Sequence, residues 1–147
     1  MSSLSYSKFL QTLPEIVLPA LPAELRRRFQ IRQPFRAIIQ LYDHEPRIHY
    51  EVGRAWRQPG LELGFHFEAR DKELNSRLLT GYRRHLLELK DNLGPQIEAE
   101  RWDRGWTKIY EVLPEATYTT AFQKKVGQRL SQLIVALHPI YLEICGL

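Results

Sequence analysis

A change of hydrophobic period between residues 61 and 90 limits what this chain can fold into. Leu61, Leu63, Phe65 and Phe67 alternate with Glu62, Gly64, His66 and Glu68. That is the period of two expected of a strand with one covered face. From Leu74 onward the apolar residues recur at three and four. Leu74, Leu78, Leu79, Tyr82, Leu86, Leu89 and Leu93 then fill one broad side of a helix. Asp71 stands where an N-cap belongs, Glu73 lies in the first turn, and Gly94-Pro95 ends the helix. A half-covered strand running into a half-covered helix points to helices laid on a sheet.

The flanking segments extend this pattern. Residues 35 to 43, 47 to 57 and 60 to 68 read as three strands joined by the short turns "HEP" and "QPG". Residues 96 to 102 and 105 to 113 read as a hairpin around Asp103 to Gly105. A last helix runs from about Thr119 to Ile144, with Pro139 predicted to kink it. Residues 1 to 34 read as a helical N-terminal arm and connector, with a short helix near Tyr6 to Leu13 and Pro22 opening another. The expected fold is α+β in the order α-βββ-α-ββ-α, a five-stranded, largely antiparallel sheet with helices on one face. Its 147 residues form a single domain, long enough to bury a core without metal or disulfide support.

Composition narrows the function classes. Hydrophobic residues make up 44% and charged residues 26%, as in an ordinary globular chain. No apolar run reaches the roughly 18 to 20 residues of a membrane span. The first residues make a poor signal peptide. Cys145 is the single cysteine, which suits a reducing cytoplasm. The expectation is a cytoplasmic protein with no cofactor and no membrane partner.

Alternation sets Glu62, His66 and Glu68 opposite the apolar side of their strand, and His49 and Glu51 opposite Ile48, Tyr50 and Val52. If the two polar sides coincide, these five residues form a candidate polar sheet surface with donors for a transition metal or Mg²⁺. A half-covered sheet displays polar residues in any case, and no His-Glu-x-x-His spacing occurs. A restriction-type nuclease needs Glu-x-Lys beside a second acid. Glu51, Glu62 and Glu68 are followed instead by Val-Gly, Leu-Gly and Ala-Arg. No nucleophile triad or glycine-rich phosphate loop is present. The expected catalytic and metal sets are therefore empty.

The net charge of +4 permits an acidic partner. Arg26, Arg27, Arg28, Arg77, Arg83, Arg84 and Lys90 are candidate basic contacts, and Trp56 and Trp102 sit beside arginines, a mixture used for phosphate contact and base stacking. Asn75 falls in the apolar sector of the middle helix and is expected to anchor it to a strand end or loop; His85 lies at that sector's edge. Val135 and Leu142 lie off the last helix's main stripe and are a candidate dimer contact, since an open sheet edge commonly pairs with a second copy.

The stretch "ELGFHFE…KELNSRLLTGYRRHLLELKDNLGPQIEAERWD" resembles a bacterial domain-of-unknown-function family often found C-terminal to nuclease-like regions. Glu62, Asn75, Lys90, Gly94 and Trp102 match its strand, helix and following-strand positions. The resemblance spans about residues 47 to 145, departs at "GWTKIYEV", and implies association with DNA-processing or defence proteins. The element order is also similar to that of type III secretion chaperones, which are typically acidic where this chain is basic. Together these readings make the chain a non-catalytic interaction or accessory module, a homodimer that binds a protein segment or larger assembly. The alternative is a nucleic-acid-associated domain in DNA processing or defence, with a metal-dependent hydrolase third.

Overall fold

The computed structural model describes residues 3–147. Its helices are α1 (Tyr6–Thr12), α2 (Pro14–Val17), α3 (Ala23–Arg26), α4 (Lys72–Arg84), α5 (Leu86–Leu93) and α6 (Thr120–Cys145). Its strands are β1 (Phe29–Arg32), β2 (Ile38–Asp43), β3 (Ile48–Arg54), β4 (Leu61–Phe67), β5 (Glu98–Asp103) and β6 (Trp106–Leu113). The α+β class is as expected, but the sheet has six strands where five were expected. The added strand, β1, lies inside what reads as connector. Its side chains are buried only at Phe29, so it carries no alternation to betray it.

The sheet is antiparallel throughout, in the order β1-β2-β3-β4-β6-β5. The β5–β6 hairpin closes through Arg104 and Gly105, both at positive φ (46° and 83°), the combination of a tight type I′ turn that matches strand twist. β6 then inserts beside β4, and β5 is left as the far edge. Leu61, Leu63, Phe65 and Phe67 of β4 are 0–2% exposed; Phe65 and Phe67 meet Tyr82 of α4, and Phe65 also meets Tyr141 of α6. In the N-terminal segment Phe9, Leu10 and Leu13 join the core, and Gln123 of α6 donates to the Phe9 carbonyl and Thr12 hydroxyl.

Local signals set the helix ends. Asp71 accepts from the Glu73 and Leu74 amides, and Thr119 from that of Phe122. The expected single middle helix is broken at His85, whose φ/ψ of −99°/4° ends α4 before α5 turns Leu89 and Leu93 inward. Pro139 does lie within α6. No helix among the described residues is long and apolar enough to cross a membrane.

A second polar group crosses the helix-covered side. His138 of α6 is buried between Asp43 (Nε2 to Oδ2, 2.9 Å) and the Tyr50 hydroxyl (Nδ1, 3.1 Å). Burial holds His138 below its ordinary value against the pull of Asp43, so the folded ring is neutral. Burial opposes the Asp43 charge, but the His138 hydrogen bond and Arg28 hold its carboxyl below the usual range. Arg28, His44, Tyr50 and Tyr141 are the other ionisable neighbours of the pair. Both depressed groups bind protons more readily when unfolded, so their stabilisation is present at neutral pH and lost as pH falls. For His138 that loss begins near the ordinary imidazole value of 6.5. Between pH 7 and pH 5 the melting temperature of wild type is expected to drop relative to that of His138→Gln. Equal slopes in the two proteins would remove His138 from the account.

Candidate functional site

Cross-strand register builds the site. On the side of the sheet away from the helices, His49 of β3 pairs directly with His66 of β4, and Lys108 of β6 pairs with His66 from the other side. Glu51 sits opposite Gly64, and Gln40 of β2 opposite Glu51. Alternation therefore places His49, Glu51, Glu62, His66 and Glu68 together, as the sequence suggests. Their setting is different from the expected water-facing surface. His49 is 1% exposed, His66 2% and Glu62 7%, while Glu51 and Glu68 are half-buried. Trp102 and Tyr110 account for much of this cover: the Trp102 ring lies 5.6 Å from that of His66, and the Lys108 ammonium lies 4.2 Å from the Tyr110 ring centre. Trp56 stands edge-on to Trp102 at 6.0 Å and is itself exposed.

The contacts form one continuous network. His66 Nε2 meets Glu62 at 2.7 Å, and the Lys108 ammonium donates to the other Glu62 oxygen at 2.7 Å. His66 Nδ1 faces Glu68 at 3.1 Å. His49 Nδ1 lies 2.8 Å from the Pro46 carbonyl, so that nitrogen carries the proton and Nε2 turns toward Glu51 (3.3 Å) and Glu68 (3.8 Å). The Gln40 amide donates to Glu51 at 2.9 Å and lies 3.1 Å from His49 Nε2, and Arg32 holds its carbonyl oxygen. Gly64 gives the His66 ring room to lie along the strand; a Cβ there meets Tyr110 at 2.9 Å and the imidazole at 3.1 Å. Burial opposes charge on His66, yet Glu51, Glu62 and Glu68 raise it to about 10. Burial likewise opposes charge on Glu51, and the two histidines with Gln40 hold it down to about 2.

Sequence reasoning missed Gln40 and Lys108. The lysine absent from every Glu-x-Lys position arrives from β6, two strands away in the chain's order, and is locked on Glu62 at 3% exposure. Its one sequence signal is its place on the polar side of "TKIYEV".

The other candidates scatter. Arg26 donates to the Leu18, Pro19 and Leu21 carbonyls, Arg28 pairs with Asp43, Arg83 donates to the Ala99 carbonyl, and Lys90 pairs with Glu98. Burial pushes the Cys145 thiol up, and Arg77 beside it offsets only part of that rise. Arg27 and Arg84 are exposed. Asn75 is fully buried and anchors α4 as expected, bonding the Ala69 amide and the Ala69 and Gly105 carbonyls. His85 caps α4 and faces Glu88 at 3.6 Å. Of the expected dimer pair, Val135 is exposed, beside a groove lined by Ala20, Leu93 and Ser131. Leu142 is partly buried and packs against the core. The chain matches no known family model, no curated protein and no solved structure.

Proposed function

We propose that the chain is a non-catalytic interaction module that pairs with a second copy along β1. The observation that carries this reading is the difference between the two sheet edges. β5 is an edge of the kind that resists pairing: Glu98, Glu100, Arg101 and Asp103 are charged, and its register shifts between Arg101 and Asp103. β1 carries one charge, Arg32, and no register shift. Ile31 is 46% exposed on the strand and Phe35 is 59% exposed just beyond it. An antiparallel two-fold centred on Ile31 sets that residue against its own copy and Gln30 against Arg32, with no like charges opposed. The two sheets then become one, and the exposed apolar residues are covered. The polar network on the sheet supports a non-catalytic reading, since each of its carboxylates already has a partner.

Light scattering over a dilution series tests this. Twice the 17.4 kDa chain mass is expected at micromolar concentration, reverting to the chain mass in Ile31→Asp. Val135→Asp on α6 is expected to leave the dimer intact. A monomer throughout, or a dimer lost with Val135→Asp and kept with Ile31→Asp, overturns the reading.

A further inference from the structure

We propose that His49, His66, Glu51 and Glu68 form a binding site for one first-row divalent transition-metal ion of the zinc class. His49 of β3, His66 of β4 and Glu68 just beyond β4 each bring a donor atom to one small gap, with Glu51 of β3 beside it. His49 Nε2 stands 3.3 Å from Glu51 and 3.8 Å from Glu68. His66 Nδ1 stands 3.1 Å from Glu68 and 3.9 Å from Glu51. Donor atoms of His49, His66 and Glu68 all lie within 4.8 Å of one another. Ligands about 2.0 to 2.2 Å from a tetrahedral ion are separated by roughly 3.3 to 3.6 Å, so small side-chain movements close the set.

The surroundings of the two rings are what distinguish this cluster from a chance group of acids. A ligating histidine uses one ring nitrogen and gives its other N–H to a carbonyl or carboxylate, which fixes the tautomer and aims the lone pair. Both histidines are held that way. Outside the donor set, the Pro46 carbonyl takes the Nδ1 proton of His49, and Glu62 takes the Nε2 proton of His66. Lys108 in turn fixes Glu62, so the second histidine is oriented by a buried ion pair. Direct pairing of His49 with His66 in the β3–β4 register holds the two rings 5.7 Å apart at an interplanar angle of 28°.

Charge fits a dication. Glu62 is balanced by Lys108. Glu51 and Glu68 bring two negative charges to the gap, which one M²⁺ neutralises while replacing the Nδ1 proton of His66. Two imidazoles with two carboxylates suit zinc and its neighbours better than Mg²⁺ or Ca²⁺, which prefer oxygen alone. The half-buried Glu51 and Glu68 give the ion a path from solvent. The Gln40 amide stands 3.1 Å from His49 Nε2, and binding requires that it give up this contact.

The test uses the full chain, stripped with a chelator and titrated with Zn²⁺ and with Co²⁺. One ion per chain is expected, with visible cobalt absorption of a tetrahedral or five-coordinate N/O site. Co²⁺ is also expected to quench fluorescence, because Trp102 lies 5.6 Å from the His66 ring. Glu68→Gln and His49→Gln are each expected to weaken binding at least tenfold. Glu62→Gln, acting through His66, should weaken it by about ten- to a hundredfold. His44→Ala and His85→Ala, at exposed or half-exposed histidines, should change nothing. Absence of saturable binding overturns the proposal, as does binding unmoved by Glu68→Gln. That variant is at a half-buried position and decides the matter even if His49→Gln fails to fold.

Discussion

Replacing Asn75 with leucine is expected to destabilise the fold by about 3 kcal/mol, a large effect for a near-isosteric change. The Asn75 side chain is fully buried and makes three hydrogen bonds, two to the amide and carbonyl of Ala69 and one to the carbonyl of Gly105. The main-chain carbonyl of Asn75, which the substitution leaves in place, accepts from the buried Thr107 hydroxyl at 2.8 Å. One side chain therefore ties the end of β4, the first turn of α4 and the β5–β6 turn. Leucine fills the space but leaves the Ala69 groups and the Gly105 carbonyl without that partner, and desolvated backbone groups are costly. At about 2 to 4 °C per kcal/mol for a chain near this size, the melting temperature should fall by roughly 6 to 12 °C. The proposed metal binding and dimerisation do not run through Asn75 and are predicted to be unaffected below the new melting temperature. A melting temperature within a degree of wild type would show that Asn75 anchors nothing.

That anchor was legible because it violates a pattern: an amide inside an apolar helical sector must find backbone to bond. The same kind of signal made β4, α4 and α6 readable, each being a long segment with a clean period. β1 was not readable, since its four residues bury only Phe29 and an edge strand needs no alternation. Nor was the order of strands, which turns on β6 rather than β5 lying beside β4. That single choice brings Lys108 to Glu62 and Trp102 near His66.

The polar side of β3 and β4 was legible in membership and misread in setting. Alternation placed His49, Glu51, Glu62, His66 and Glu68 on one side. It said nothing of Gln40 arriving from β2, or of the aromatic rings beside β6 that cover the group. A period of two separates the faces of a sheet; only register and neighbouring side chains decide whether the polar face meets water. Val135 and Leu142 show the same limit on a helix, where two residues seven apart share a face and yet only one is exposed.

Arg129→Ala is expected to cost about 3 to 5 kcal/mol, because it strands a buried carboxylate. Glu111 points into the helix-covered side of β6, with a side chain 0% exposed. Arg129 of α6 meets it with two nitrogens, Nε at 2.7 Å and a terminal nitrogen at 2.6 Å, and Gln96 donates at 3.0 Å. Arg129 also donates to the Leu93 carbonyl at the end of α5, so it joins sheet and two helices at one point. Without the guanidinium, Glu111 keeps only Gln96 and must either hold an unpaired charge in the core or take up a proton. The double variant Arg129→Met with Glu111→Leu removes both charges and refills the space, and much of the lost stability should return. The cycle through Arg129→Met, Glu111→Leu and the double variant, read by urea denaturation, isolates the coupling between them. A loss below about 0.5 kcal/mol for Arg129→Ala would place this pair with surface ion pairs, which contribute little. Additive single losses in the cycle would equally defeat the argument, since each residue is costly alone only because the other is there.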